Sequence, residues 1–354
     1  MIIGVSGYGA TGASAVLGLI EECDNIQSYR YGSEFQILQQ PDGILDLHHY
    51  IVEDGRRLSI STAISRYKKN LNNTVYRNMQ KVTNNNFYSL SKNYINSLIQ
   101  ISWKGRSEYE TVDQQHFIDH SKFRMIRGGI YKIINKISPK FPWPPNTERY
   151  YSSVDENNFN IITKKYLKDI LSSSGFDLKG NILLEQLFPP TNPAKGMEYF
   201  DDAVSIIVER DPRDLYVLTN YLMPHLSRFM PNSGNVNSFI CYYKGLHRRK
   251  SMDSRVRYVQ YEDFIYKYEE ITKELLDWLG LKNKMKRTIF IPEQSINNTC
   301  LYKNYPELES KIRQIEENLT EYLYPFDELN SQHVYKRDIN SAFVLKPGDT
   351  IIKK

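Results

Sequence analysis

The chain begins with Ile2-Ile3-Gly4-Val5-Ser6-Gly7-Tyr8-Gly9-Ala10-Thr11-Gly12-Ala13-Ser14. An apolar run breaks into a glycine-rich turn, and a helical pattern follows with Ala15, Val16, Leu19 and Ile20 available for one face. A strand that turns straight into a helix is the opening unit of an α/β layer. Such a turn leaves backbone N–H groups unpaired at a helix N-terminus, where the helix dipole also favours an anion. Gly7, Gly9 and Gly12 permit close approach of a phosphate, and Thr11 and Ser14 add hydroxyl donors. No Gly-Lys-Ser/Thr follows, so the turn is not a Walker A loop. Its Gly-x-Gly-x-x-Gly spacing fits a dinucleotide fingerprint in part. That fingerprint wants an acid at the end of the second strand, where Tyr29-Arg30-Tyr31 supplies none, although Glu34 is close.

The strand–helix alternation runs through most of the chain but is interrupted. Ile26–Tyr31 reads as a second strand. From Leu45 to Tyr151 the character changes, and Ile60–Val75 and Tyr88–Trp103 read as polar amphipathic helices separated by Asn84-Asn85-Asn86. The alternation resumes with a helix near Asn160–Leu171 and continues with apolar runs at Ile182-Leu183-Leu184, Ala203–Val208 and Val256–Tyr261. A long helix from Glu262 to Leu279 is capped by Gly280, and a last one covers Pro306–Leu323. This pattern predicts an α/β fold, a P-loop-like parallel sheet flanked by helices, with a helical insertion. The expected core is 1–44 with 152–330, the insertion 45–151 and the tail 331–354, all in one compact domain.

Charge narrows the function classes. Lys+Arg number 46 and Asp+Glu 41, a net +5 over 354 residues, which does not demand a nucleic-acid partner. Two basic stretches stand out: Ser121–Lys140, followed by Phe141-Pro142-Trp143-Pro144-Pro145, and Lys244–Arg257. Each reads as a solvated face or as a surface for an anionic polymer or lipid headgroup, the latter implying peripheral membrane association. Three scattered cysteines, no metal-spaced cluster, no basic leader and no apolar run of ~20 residues lead to the expectation of a metal-free, soluble, cytoplasmic protein.

A second motif is sharper. Ser205-Ile206-Ile207-Val208-Glu209-Arg210-Asp211-Pro212-Arg213-Asp214 puts an arginine at the end of an apolar strand, with proline at the first turn of a helix. An arginine there can clamp a phosphate bidentately; alternatively Arg210, Asp211, Arg213 and Asp214 pair among themselves. Arg-Asp-Pro-Arg-Asp after a buried strand resembles the 3′-phosphate motif of PAPS-dependent sulfotransferases, in their bacterial, carbohydrate-type form. The opening glycine turn falls where that family keeps its 5′-phosphosulfate loop. Leu184-Glu185-Gln186-Leu187-Phe188-Pro189-Pro190 resembles the family's central strand and proline turn. Tyr258-Val259-Gln260-Tyr261-Glu262-Asp263-Phe264 resembles its Tyr-Glu-Asp helix start, and Pro292–Thr299 its late nucleotide-closing loop.

The resemblance implies transfer of a sulfuryl group from PAPS to a hydroxyl of a glycan or glycolipid, leaving 3′,5′-ADP, as in a capsule or surface-polysaccharide enzyme. It implies nucleotide contacts from Gly7, Gly9, Ala10, Thr11, Gly12, Ala13, Ser14, Arg210, Thr219, Ser295, Asn298 and Thr299. Two positions depart from the family: Ala10 stands where the loop carries Lys or Arg, and Leu218 where a serine is usual, with Thr219 the nearest hydroxyl. The general base is expected at Glu34, just after a second strand that runs beside the first in the fold this resembles, with Glu185, His48 and His49 as further candidates. The insertion is expected to shape the acceptor site. Competing readings are an NAD(P)-dependent reductase with a Rossmann-type loop, and a non-catalytic protein of sulfotransferase fold.

Overall fold

The computed structural model describes residues 1–29, 34–71, 74–105, 147–222, 235–282 and 289–326, with isolated positions between 126 and 137. Arg30, Tyr31, the Phe141–Pro145 stretch, most of the Ser121–Lys140 run and the tail after Asn330 lie outside the described residues. Among the described residues seven strands are numbered in chain order: β1 (Ile2–Gly7), β2 (Ile26–Ser28), β3 (Ile101–Gly105), β4 (Thr147–Tyr151), β5 (Asn181–Glu185), β6 (Ala203–Glu209) and β7 (Val256–Gln260). The chain divides into two compact units, Met1–Gln40 with Leu171–Lys354, and Pro41–Ile170.

The first unit is an α/β layer. Its sheet has the order β2-β5-β1-β6-β7, and all four pairings are parallel. β1 is buried along its whole length, as a central strand covered on both faces must be. Successive side chains of β6 point to opposite faces. Ile206 and Val208 therefore pack with the helix Ala13–Glu21 and with Phe264, Leu275 and Leu279. Ile207 packs instead with Leu215, Phe239, Ile312 and Ile315 of helices on the other face. The strand order corrects one expectation. β2 does not run beside β1, because β5 lies between them.

The second unit is mainly helical, built from Arg57–Asn70, Thr74–Val82, Phe87–Leu98 and Glu156–Ser173. The expected Ile60–Val75 helix is thus two helices. The Tyr88–Trp103 helix stops at Leu98, and Trp103 sits on β3, paired antiparallel with β4. Glu156–Ser173 packs here for most of its length instead of resuming the sheet alternation. Tyrosines form much of this core: Tyr94 and Tyr166 stack with ring centroids 4.4 Å apart, and Ser91 Oγ lies 2.7 Å from the Tyr166 hydroxyl.

Two further boundaries differ from the sequence pattern. Glu262–Leu279 breaks at Lys267 into Asp263–Tyr266 and Tyr268–Leu279, and Gly280 ends the second piece in the left-handed region. Pro306–Leu323 is an α-helix only over Glu309–Asn318, with 3₁₀ turns on either side.

Candidate functional site

The glycine turn between β1 and the helix Ala13–Glu21 is set by positive backbone angles. Gly9, Ala10 and Gly12 have φ of 96°, 58° and 92°. At Gly12 a Cβ would also run into the Tyr261 ring. Ala10 adopts the left-handed region despite its Cβ, a conformation that persists only where the surroundings hold it. Here a guanidinium does so. Arg210, at the end of β6 and 2 % exposed, donates from Nη1 to the Ala10 carbonyl at 3.3 Å and from Nη2 to the Asn298 carbonyl. The face of the Tyr261 ring lies 4.9 Å from the same guanidinium.

The turn opens on a cavity of about 410 Å³. Its walls are Gly7–Ser14, then Glu34, Gln36 and Gln39 after β2, Glu185, Gln186, Pro190 and Thr191 at and after the end of β5, and Tyr242 and Leu246 of the helix Val236–His247. The cavity thus lies at the carboxyl ends of β2, β5 and β1, where open parallel sheets bind ligands. Thr11 lines it and is 2 % exposed, and its Oγ1 has no hydrogen-bond partner among the described residues. A buried hydroxyl with no partner is costly unless a ligand or water satisfies it.

Two carboxylates face this space. Glu185 is the last residue of β5, paired in register with Val5, and its segment is fixed by backbone bonds from Phe35 N to Glu185 O and from Gln186 N to Val5 O. Burial pushes its carboxyl up to about 7, and the negative charges of Glu34 and Glu21 add to the effect. Glu34 is exposed and accepts a hydrogen bond from Gln36 Nε2. Gln39 Nε2 donates to the carbonyls of Gln186 and Phe188, at 2.6 and 3.1 Å, and so ties the β2 and β5 sides of the cavity together.

The other sequence candidates fall elsewhere. His48 and His49 belong to the second unit. His48 is buried against Phe159, with Nδ1 3.3 Å from a Glu53 oxygen, and His49 Nδ1 lies 2.8 Å from the other Glu53 oxygen. Thr219 Oγ1 donates back to the Leu215 carbonyl at 2.8 Å, and Thr299 Oγ1 donates to Ile296 O at 2.8 Å. Ser295 and Asn298 side chains hydrogen-bond to Tyr261. None of these six residues, nor Arg210, is among the described lining residues. Missing from the sequence reading were the lining residues Gln36, Gln39 and Tyr242, while Gln186 was named there only as part of a proline-turn motif. Only the clustering of Gln36, Gln39 and Gln40 gave any signal.

Nor do the charges after β6 pair as one mutual network. Asp211 caps its helix by accepting from Arg213 N and holds Arg213 Nη2 at 2.7 Å, while Arg213 also reaches Glu316 and the Tyr324 carbonyl. Arg210 donates instead to the glycine turn, and its charge also acts on the Asp214 and Glu262 carboxyls. Glu262 accepts from Asp211 N at 2.9 Å. Its carboxyl is pushed up to about 8, first by burial and then by Asp211, against the opposing pull of Arg210. The folded state thus favours neutral Glu262, and the stability it contributes at low pH is lost as pH rises from the ordinary carboxylate range through about 8. Glu262→Gln keeps an acceptor for Asp211 N and removes the titration. The fall of unfolding free energy between pH 5 and 8 should then become shallower, by up to about 1.4 kcal/mol per pH unit. Denaturant melts at several pH values measure this, and an unchanged slope would show that Glu262 is not the group responsible.

Comparison with known proteins finds no matching family model, no matching curated protein and no matching solved structure. The reading of the site therefore rests on its own geometry and chemistry.

Proposed function

We propose that this chain is a PAPS-dependent sulfotransferase of P-loop-like fold, moving a sulfuryl group to a hydroxyl of a glycan or glycolipid. The observation that carries the reading is one cavity shared by an anion-ready glycine turn and a carboxylate of raised proton affinity. In this reading the turn N–H groups and the Thr11 and Ser14 hydroxyls hold the phosphosulfate end of the donor. The acceptor hydroxyl gives its proton to Glu185 as its oxygen bonds to sulfur. The bond from sulfur to the bridging phosphate oxygen breaks in line, and 3′,5′-ADP leaves with that electron pair. Arg210, bound to the Ala10 carbonyl, supplies the positive charge that the family's loop Lys or Arg would bring. The amides of Gln36, Gln39 and Gln186 and the Tyr242 ring offer the hydrogen bonds and stacking face that suit a sugar.

The dinucleotide alternative is less well supported. Its usual strand order places the second strand beside the first, so that an acid there reaches the ribose, whereas β5 intervenes here. Transfer of radiolabelled sulfate from PAPS to a panel of glycans, together with a thermal shift by 3′,5′-ADP, tests the proposal. A shift with NADP and none with 3′,5′-ADP would sink it.

Glu34→Gln provides a graded check. Removing its charge lowers the proton affinity of Glu185, so the acid limb of the kcat profile should move down from about 7 by roughly half a unit or more while kcat on the plateau changes little. A tenfold or larger loss on the plateau would instead make Glu34 the base.

A further inference from the structure

The described positions between 126 and 137 are all helical, and four of them are exposed isoleucines. Ile126, Ile130, Ile133 and Ile137 have 60, 41, 60 and 79 % of their surface open. At 3.6 residues per turn these four positions fall within about 60° of one another, making one apolar stripe. Lys132 and Lys136, also helical, lie roughly 60–140° to one side of it. The surrounding sequence from Ser121 to Lys140 carries six basic residues and no acid. Single exposed apolar residues need no explanation, but an aligned stripe beside a cationic flank does.

We propose that this face is an interfacial anchor for an anionic lipid surface, lying in the plane of the headgroups. The isoleucines enter the acyl boundary, and the lysines meet lipid phosphates. Length and composition fit this mode: at a helical rise, Ile126 and Ile137 would stand only about 16 Å apart, too short to cross a bilayer. No helix among the described residues is long and apolar enough to do so. A protein partner of the same stripe would leave the cationic flank unexplained, whereas an anionic membrane uses both. The inference stands apart from the sulfotransferase reading, since no residue of the cavity takes part.

The test is flotation of the full chain with vesicles of phosphatidylcholine alone, and of phosphatidylcholine mixed with phosphatidylglycerol. The chain should float with the mixed vesicles only, and less well as salt rises. Ile130→Asp combined with Ile133→Asp should raise the lipid concentration for half-binding by tenfold or more. Its melting temperature should not change, because both side chains are exposed. Lys132→Glu with Lys136→Glu should weaken binding and flatten its salt dependence. Three results would overturn the proposal: no flotation, flotation unaffected by the isoleucine changes, or a dimer in sedimentation that those changes dissolve.

Discussion

Glu185→Gln lowers kcat for sulfate transfer by about 10²–10⁴-fold, the usual contribution of a general base, and leaves 3′,5′-ADP affinity essentially unchanged. Glutamine keeps the volume and the hydrogen-bonding reach but cannot accept a proton. The expectation rests on the residue's setting. A base works best when its proton affinity lies near the working pH, and the half-buried Glu185 carboxyl, pushed up to about 7 beside Glu34, meets that condition. The pH profile supplies an independent readout. For the parent enzyme kcat should rise with pH through about 7, as Glu185 loses its proton, and the variant's residual rate should lack that limb. A change in KM with kcat unaltered would mean that Glu185 only binds the acceptor. Parent-like turnover would remove it from the chemistry.

The sequence made the glycine turn legible because its physics is local. Three glycines between an apolar strand and a helical pattern imply positive backbone angles, and Gly9 and Gly12 adopt them. The apolar run of β6 and the cap at Gly280 were readable for the same reason. What one chain does not reveal is which strands become neighbours. The β1–β5 pairing joins residues 180 positions apart, and it is this pairing that sets Glu185 beside the turn and moves β2 one strand outward. The same limit explains the histidines. His48 and His49 were base candidates by residue type, but their helical segment packs in the other unit, where Glu53 and Phe159 occupy them. Several of the insertion's tyrosines are core, since an aromatic ring and a hydroxyl with a partner are as useful inside as outside.

Arg210→Met should destabilise the fold by about 2–3 kcal/mol and abolish the thermal shift produced by 3′,5′-ADP. Methionine can follow the path of the buried stem but donates nothing. The carbonyls of Ala10 and Asn298 then lose a charged donor, and Tyr261 loses the cation over its face. The stability loss comes from these three contacts. The binding loss has a different origin: Ala10 at φ 58° has no reason of its own to stay left-handed, and without the guanidinium the turn N–H groups need not converge on one anion. Arg210→Lys separates the two effects. It restores the charge but not the two-pronged reach, so it should recover part of the stability and little of the nucleotide shift. Arg210 lies at the end of β6, and the turn it holds lies at the end of β1. The chain leaves these neighbouring strands toward opposite edges of the sheet, so the two strand ends flank a switch point of the topology. An arginine that reaches from one strand end to the Ala10 carbonyl and holds the anion turn in shape would act on the donor through the backbone. If Arg210→Met melted at the parent temperature and still bound 3′,5′-ADP as tightly, the turn would be holding its own shape and the arginine would have no part in the site.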